Sequence, residues 1–431
     1  MNLRRPNIST IKTNLEQSLQ SISQQHQEPA WFLQQRQAAL KLISQLSWPV
    51  IPQFHFHDWP LIAPMDSQIC TSDVPKVDPA NLDNFIIQKG QSTGQVQLNP
   101  ELQAQGVIVT DIFTALQTYP QLLRKYYFKA ALRPDEDKLI SYNCALMNNG
   151  IFIYIPENVH LSETITVKII QDNTFKEPLV HHLLLVAGSR SQVSVMTQLS
   201  SQGDQTNVAN CVVEIIAQEY SRVHFAAIDE LAMNTRAYLN RRAVVADQAQ
   251  VEWSIGMMND GPTVGDFASE LNGRESQSDA QVIAISTGQQ RVGVNTRVVN
   301  RGQQTVGNIV QRGILLDQSQ LTFNGIGHII HGAHGANAEQ ENRVLMLSDQ
   351  ARGDANPILL IDENDVLAGH AASIGQVDQE QMYYLMSRGI DAQTAQNLVI
   401  RGFLGPVIAG MPNNQMRQQL IATVERKLIH G

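Results

Sequence analysis

Histidine is the residue type with most to offer a metal or a proton in this sequence, and it is unevenly placed. His55 and His57 alternate in FHFHDW (Phe54–Trp59), with Asp58 beside them. On a strand the pair would share one face, a spacing that can hold a metal, but no third ligand is evident. His328, His331 and His334 follow in HIIHGAHGA (His328–Ala336). On a strand these three could not share a face, and the glycines argue against a helix, so they read as surface or hydrogen-bonded imidazoles. His370 stands alone in VLAGHAASIG (Val366–Gly375). The acidic residues Asp362, Glu363 and Asp365 run up to it, and Ala368, Gly369, Ala371 and Ala372 leave space beside the ring. An imidazole suits iron as a ligand and titrates near neutral pH. Taken alone, a single histidine is more simply a packed or hydrogen-bonded residue.

Other motifs offer less. Gly90-Gln91-Ser92-Thr93-Gly94 matches GxSxG, whose serine is a nucleophile where a strand turns into a helix. Here the strand-like FIIQ precedes it and the alternating QVQLNP follows, which predicts a hairpin loop. Arg352-Gly353-Asp354 reads as a polar turn. No GxxxxGK[ST] is present and no GxGxxG follows a strand, so no ATPase site is expected. No nucleophile–base pair emerges, and the chain is not expected to be an enzyme. Cys70, Cys144 and Cys211 are far apart, unlike the clustered thiolates of a structural zinc or a cluster-holding site. An unpatterned odd count fits a reducing cytoplasm. The net charge of −9, with 16% charged residues, argues against a nucleic-acid partner, because nothing here could neutralise a phosphate backbone. The opening MNLRRPNIST lacks an apolar core for a signal peptide, and no apolar run approaches the roughly 18 residues that span a membrane.

The elements that must position these residues fall into three parts. In the first, EPAWFLQQRQAALKLISQLS (Glu28–Ser47) places Trp31, Phe32, Arg36, Leu40 and Ile43 at helical spacings before Pro49. Cys70–Asn84 reads as loop, and Gly106–Phe128 as a helix broken at Pro120. The polar RPDEDK (Arg133–Lys138) marks a boundary. From Leu139 helical periodicity gives way to short β-branched runs. A small–x–apolar–x–apolar signature starts at Ser191, Ser221, Ala249, Ala280 and Ser319, with a weak copy at Ala351, at spacings of 30, 28, 31, 39 and 32. A degenerate period near 30 with strand character predicts stacked coils. A parallel β-helix fits best, since no helix lies between strands and hairpin turns are few; a β-sandwich is the rival. Val193, Val223, Val251 and Leu321 should point inward.

After His370 the helical period returns. Asp378 is an N-cap with Gln381 as capping-box partner, Met382, Leu385 and Met386 form a stripe, and Gly389 ends the helix. Asp391 caps a second helix carrying Ala395, Leu398 and Val399; a third, near Asn414–Ile429, places Met416, Leu420, Val424 and Leu428 four apart. The expected organisation is therefore a helical and irregular region over 1–138, a β-helix core over 139–374 and a helical region over 375–431.

From about Leu139 to the C-terminus the chain resembles the SufB/SufD family of iron–sulfur cluster assembly proteins. The resemblance is carried by YNCALMNNGIFIYIPENV (Tyr142–Val159), by the long block from Phe323 to Gly375, by YYLMSRGI (Tyr383–Ile390) and by Gly402-Phe403. EPAWFLQQR gives a looser match in the N-terminal third. Within the family the pattern is nearer the SufD branch: a cluster-building cysteine of the SufB branch is missing, and where many SufD chains read Cys-x-His this one has Ala368 and His370.

The resemblance implies a right-handed parallel β-helix with flanking helical regions. It also implies a scaffold role in the SUF machinery, with SufB-like and SufC-like partners. The β-helix end would pair with the SufB-like chain, and the C-terminal helices would dock the SufC-like ATPase, with Tyr383, Tyr384, Arg388 and Phe403 as anchors. His370 would serve cluster assembly or iron admission at the SufB–SufD junction, where an iron–sulfur cluster would form transiently; no cofactor would be held tightly by the isolated chain. Whether that chain pairs with itself, and whether a flavin binds the assembled complex, is left open. The alternatives are a SufB-like cluster carrier, which would want a cysteine near Ala368, and a β-helix carbohydrate-active enzyme.

Overall fold

Three of the recurring strand copies stack in register. Val193 lies level with Val223, and Val223 with Val251. All three are buried between two sheets, as is Leu321. The computed structural model describes residues 8–65, 71–76, 84–411 and 413–430. The copies at Ala280 and Ser319 need correction. Val251 is level with Ser278, so that rung begins four residues before the predicted copy, and Ser319 opens a strand of the other sheet. In one sheet the level positions are Val193, Val223, Val251, Ser278, Gly307, Ala338 and Ala368. The anomalous spacing of 39 therefore combines one displaced rung with a change of sheet.

The architecture is a two-sheet parallel β-solenoid. Among the described residues one sheet has ten strands and the other nine, and past the first strands the chain alternates between them, so each strand there pairs with the next but one. The ten-stranded sheet starts at Asn84–Lys89, whose partner Ser92–Gln97 turns back antiparallel. The other sheet starts at Ile108–Asp111, antiparallel to Asn149–Ile155. At the opposite end the last strands are Arg352–Ile361 and Leu367–Gln376. Inward side chains of both sheets form one apolar core. That core is crossed by a buried ion pair, in which Arg241 Nη2 donates to both Asp229 oxygens at 2.7 and 2.8 Å.

Both sheets thus take up strands from before Leu139, and the helix Lys138–Leu146 follows RPDEDK directly. The helix expected over Gly106–Phe128 is a strand (Ile108–Asp111) followed by helices Ile112–Thr118 and Pro120–Tyr126, split at Pro120 as the ring's geometry requires. Gly90-Gln91 is the hairpin turn between the first two strands, and Ser92–Gly94 open the second. Arg352-Gly353-Asp354 opens a strand rather than a turn.

Each sheet has an outer apolar face that needs covering. Over the nine-stranded sheet lie the N-terminal helices, including Ala30–Leu42 and Lys138–Leu146, packed on Val180, Leu184, Val212 and Tyr238. The irregular Val50–Pro52 is tied down by an amide ladder on that face: Asn356 donates to Asn324, Asn324 to Asn295, and the two lower amides also reach the Pro52 and Val50 carbonyls. Over the ten-stranded sheet lie helices Ala392–Ala409 and Asn414–His430. Ile400, Leu404, Val407, Met416, Leu420 and Val424 pack there on Met196, Ile228, Met258, Ile283 and Ile314. In the middle tail helix the buried stripe is Ala395, Ile400, Leu404 and Val407; Leu398 is exposed.

Candidate functional site

The two ends of the solenoid differ. At the first end, antiparallel strands close the sheets. At the last, Leu367–Gln376 pairs on one side only, with Asn337–Met346, and every one of its residues is exposed. Its neighbour Arg352–Ile361 is also partly or fully exposed throughout, and carries Pro357, a residue that a central strand excludes. Leu360, Ile361, Leu367 and Ile374 show large apolar surface here, with Leu367 at 71%. A bare terminal strand with apolar side chains is a template for another chain.

His370 sits in the middle of this strand, level with Gln340. A cleft of about 510 Å³ opens beside it, lined on one wall by Asp279, Asn308, Glu339 and Glu341. Asn308 Nδ2 donates to Asp279 at 2.6 Å, and Arg312 Nη2 to Glu341 at 2.6 Å. Burial raises the Glu341 carboxyl, but the Arg312 hydrogen bond and the charges of Arg312 and Arg343 outweigh it and hold the group below its ordinary range.

The acidic run before His370 serves a different purpose from the one its sequence position implied. Glu363 turns into the corner that precedes the last strand. It accepts the Gly332 N–H at 2.9 Å and the Asn364 N–H at 2.8 Å, bonds that keep its carboxyl below the usual range. His331 Nδ1 and His334 Nδ1 flank that carboxylate at 3.6 and 3.4 Å, and His328 Nε2 lies 3.2 Å from Asp362 Oδ2. The three corner histidines are therefore surface groups that lie beside carboxylates. His55 and His57 are exposed on an irregular segment rather than a strand, while the alternating Phe54 and Phe56 are buried. Among the described residues no group of three or more His, Cys, Asp or Glu side chains could hold a metal ion. Cys144 and Cys211 are buried free thiols. Burial pushes Cys144 up to about 12 and Cys211 higher still, so neither offers a thiolate. Cys70 lies outside the described residues.

The helix after the last strand, Gln379–Ser387, has no buried residue. Asp378 caps it through the Glu380 N–H at 2.8 Å, and Gly389 leaves it at φ +88°. Tyr383 is 76% and Tyr384 57% exposed, and the Arg388 guanidinium stacks 5.0 Å from the Tyr384 ring. Phe403 is placed apart from them. It is half-buried against the apolar cluster under the tail, 5.7 Å from the Arg312 guanidinium. Sequence reasoning missed Leu360, Ile361, Leu367 and Ile374, whose one signal was apolar residues on strands with no further rung to cover them.

Comparison with known proteins gives the family. Residues 169–403 match the family model described as SUF system FeS cluster assembly, SufBD core domain, and residues 62–167 match the SufBD protein N-terminal region. The chain is 38% identical to the iron-sulfur cluster assembly protein SufD of Bacillus subtilis, over 97% of this chain and 100% of that one. It is 24% identical to SufBD family proteins of Staphylococcus haemolyticus and Staphylococcus epidermidis, over 92% of this chain and 89% of each of theirs. With most of its solenoid inside the core-domain match and a relative aligned end to end, the chain belongs to the SufB/SufD family.

Proposed function

We propose that this chain is a non-enzymatic scaffold subunit of the SUF iron–sulfur cluster assembly system, working in the cytoplasm. It pairs with a SufB-like chain through the bare end of the solenoid and docks a SufC-like ATPase through the exposed helix Gln379–Ser387. The observation that carries this reading is the asymmetry of the solenoid: one end is closed by antiparallel strands, while the other leaves Leu367–Gln376 wholly exposed with His370 at its centre. Iron and sulfide are cargo here. His370, brought against the partner's end, supplies an imidazole for cluster assembly or iron admission, and no cofactor is held tightly by the isolated chain. With Ala368 two residues before His370 and the described thiols buried, a SufB-like carrier role has less support.

The test is co-expression with SufB-like and SufC-like partners, comparing wild type with His370→Ala. The complex should assemble in both. Iron and sulfide recovered with it should fall strongly in the variant. Because the side chain is exposed, the melting temperature of the isolated variant should change little, a cost within about 1 kcal/mol. Normal cluster formation with a lowered melting temperature would make His370 structural and defeat the reading.

A further inference from the structure

We propose that the interior of the solenoid, one and two rungs below His370, holds ordered water on the side-chain amides of Gln311, Gln340 and Asn342. The inference rests on the reading above only for its use, not for its existence. Gln311 is level with Asn342 and Asn342 with Ala372, while Gln340 is level with His370. All three amides are buried, at 0%, 5% and 0% exposure. Two have fixed orientations: Gln311 Nε2 donates to Thr296 Oγ1 at 2.9 Å, and Gln340 Nε2 donates to the Ile358 carbonyl at 2.9 Å. That leaves Gln311 Oε1, Gln340 Oε1 and both Asn342 Oδ1 and Nδ2 buried with no protein partner.

Four such atoms in one place are not sustained in a dry interior, since each unpaired buried group costs about 1–3 kcal/mol. Gly325 faces Gln340 and Asn342 from the other sheet. A Cβ there would lie 2.6 Å from Gln340 Oε1 and 2.8 Å from both polar atoms of Asn342, so the missing side chain is what leaves the amides their space. The unpaired set is three acceptors and one NH2 group. Water answers it, donating to two oxygens while accepting from Asn342. The three side chains are uncharged, and no trio of His, Cys, Asp or Glu among the described residues could hold a metal, so a neutral molecule fits better than a cation. In the assembled complex a partner strand over the bare end would enclose this water beneath His370, next to Gln340.

Two measurements on the isolated full chain decide it. A crystal structure at a resolution that shows ordered solvent should place water within hydrogen-bond distance of at least two of the four unpaired atoms. Asn342→Leu, with the same branching and number of side-chain heavy atoms but no polar ones, should lower the melting temperature by removing bonds to that water. If the site is dry, the same change removes two unpaired polar atoms and leaves the melting temperature unchanged or raised. Either the absence of such water in the wild type or an unchanged or raised melting temperature in Asn342→Leu overturns the proposal. Neither readout depends on cluster assembly, so failure here is separate from failure of the proposed function.

Discussion

Asp137 shows how one residue at the seam between the helical region and the solenoid sets a pH dependence. Its carboxylate caps helix Lys138–Leu146, accepting the Leu139 and Ile140 N–H groups at 2.8 and 2.9 Å. Burial outweighs those bonds and pushes the group up to about 7. A carboxyl raised in the fold binds a proton more tightly there than in the unfolded chain, whose value is near 3.9. Its contribution is therefore complete below the unfolded value and is lost as pH rises through about 7. Asp137→Asn keeps a capping oxygen without the titration. Melting temperatures from pH 4.5 to 8 should decline less steeply with rising pH in the variant than in wild type, and parallel curves would refute the assignment. Small neighbours and isolation single out His370 in the sequence. The fate of the corner histidines was not legible there, because Glu363 reaches His331 and His334 from a later coil.

At the scale of elements, the tail divides into a packed part and a displayed part. Helices Ala392–Ala409 and Asn414–His430 cover the outer face of the ten-stranded sheet, so truncation after Gly375 would uncover Met196, Ile228, Met258 and Ile314 rather than leave a stable solenoid. Gln379–Ser387 is the displayed part. Tyr383→Ala with Tyr384→Ala should leave stability within about 0.5 kcal/mol, since neither ring is buried, while weakening capture of a SufC-like ATPase. Undiminished capture would move the docking surface elsewhere. Phe403→Ala, by contrast, removes packing and should cost about 1–3 kcal/mol of stability, read as a lowered melting temperature. The third helix was legible from its four-residue stripe, whose Met416, Leu420 and Val424 are buried. The strand at Ile108–Asp111 was not, because its neighbours merge with a helical pattern and pairing with Asn149–Ile155 decides its state.

For the whole molecule, the decisive feature is that a solenoid must end. Leu367→Lys with Ile374→Lys places two charges on the bare terminal strand, at positions that touch water in the isolated chain. The isolated double variant should keep its melting temperature, while pairing with a SufB-like chain should be lost in size-exclusion chromatography of the co-expressed proteins. Retained pairing would show that the partner docks elsewhere.

The sequence by itself determined that strands recur with a period near 30, that helices flank them, and that Val193, Val223, Val251 and Leu321 face a common core. Alternation and periodicity are local properties of a chain, and so is the stretch of residues that carries the family resemblance. The register of the rungs was decided only in three dimensions. The corners turn on Arg190, Tyr220, Gln248, Glu275 and Gln304, with φ between 53° and 60°, left-handed positions that are not occupied by glycine. The true level positions emerge only when backbone hydrogen bonds align one coil on the next. Tertiary structure likewise decided that Leu367–Gln376 is bare and that Gln311, Gln340 and Asn342 meet beneath it, because burial belongs to the stack of coils and not to any one of them.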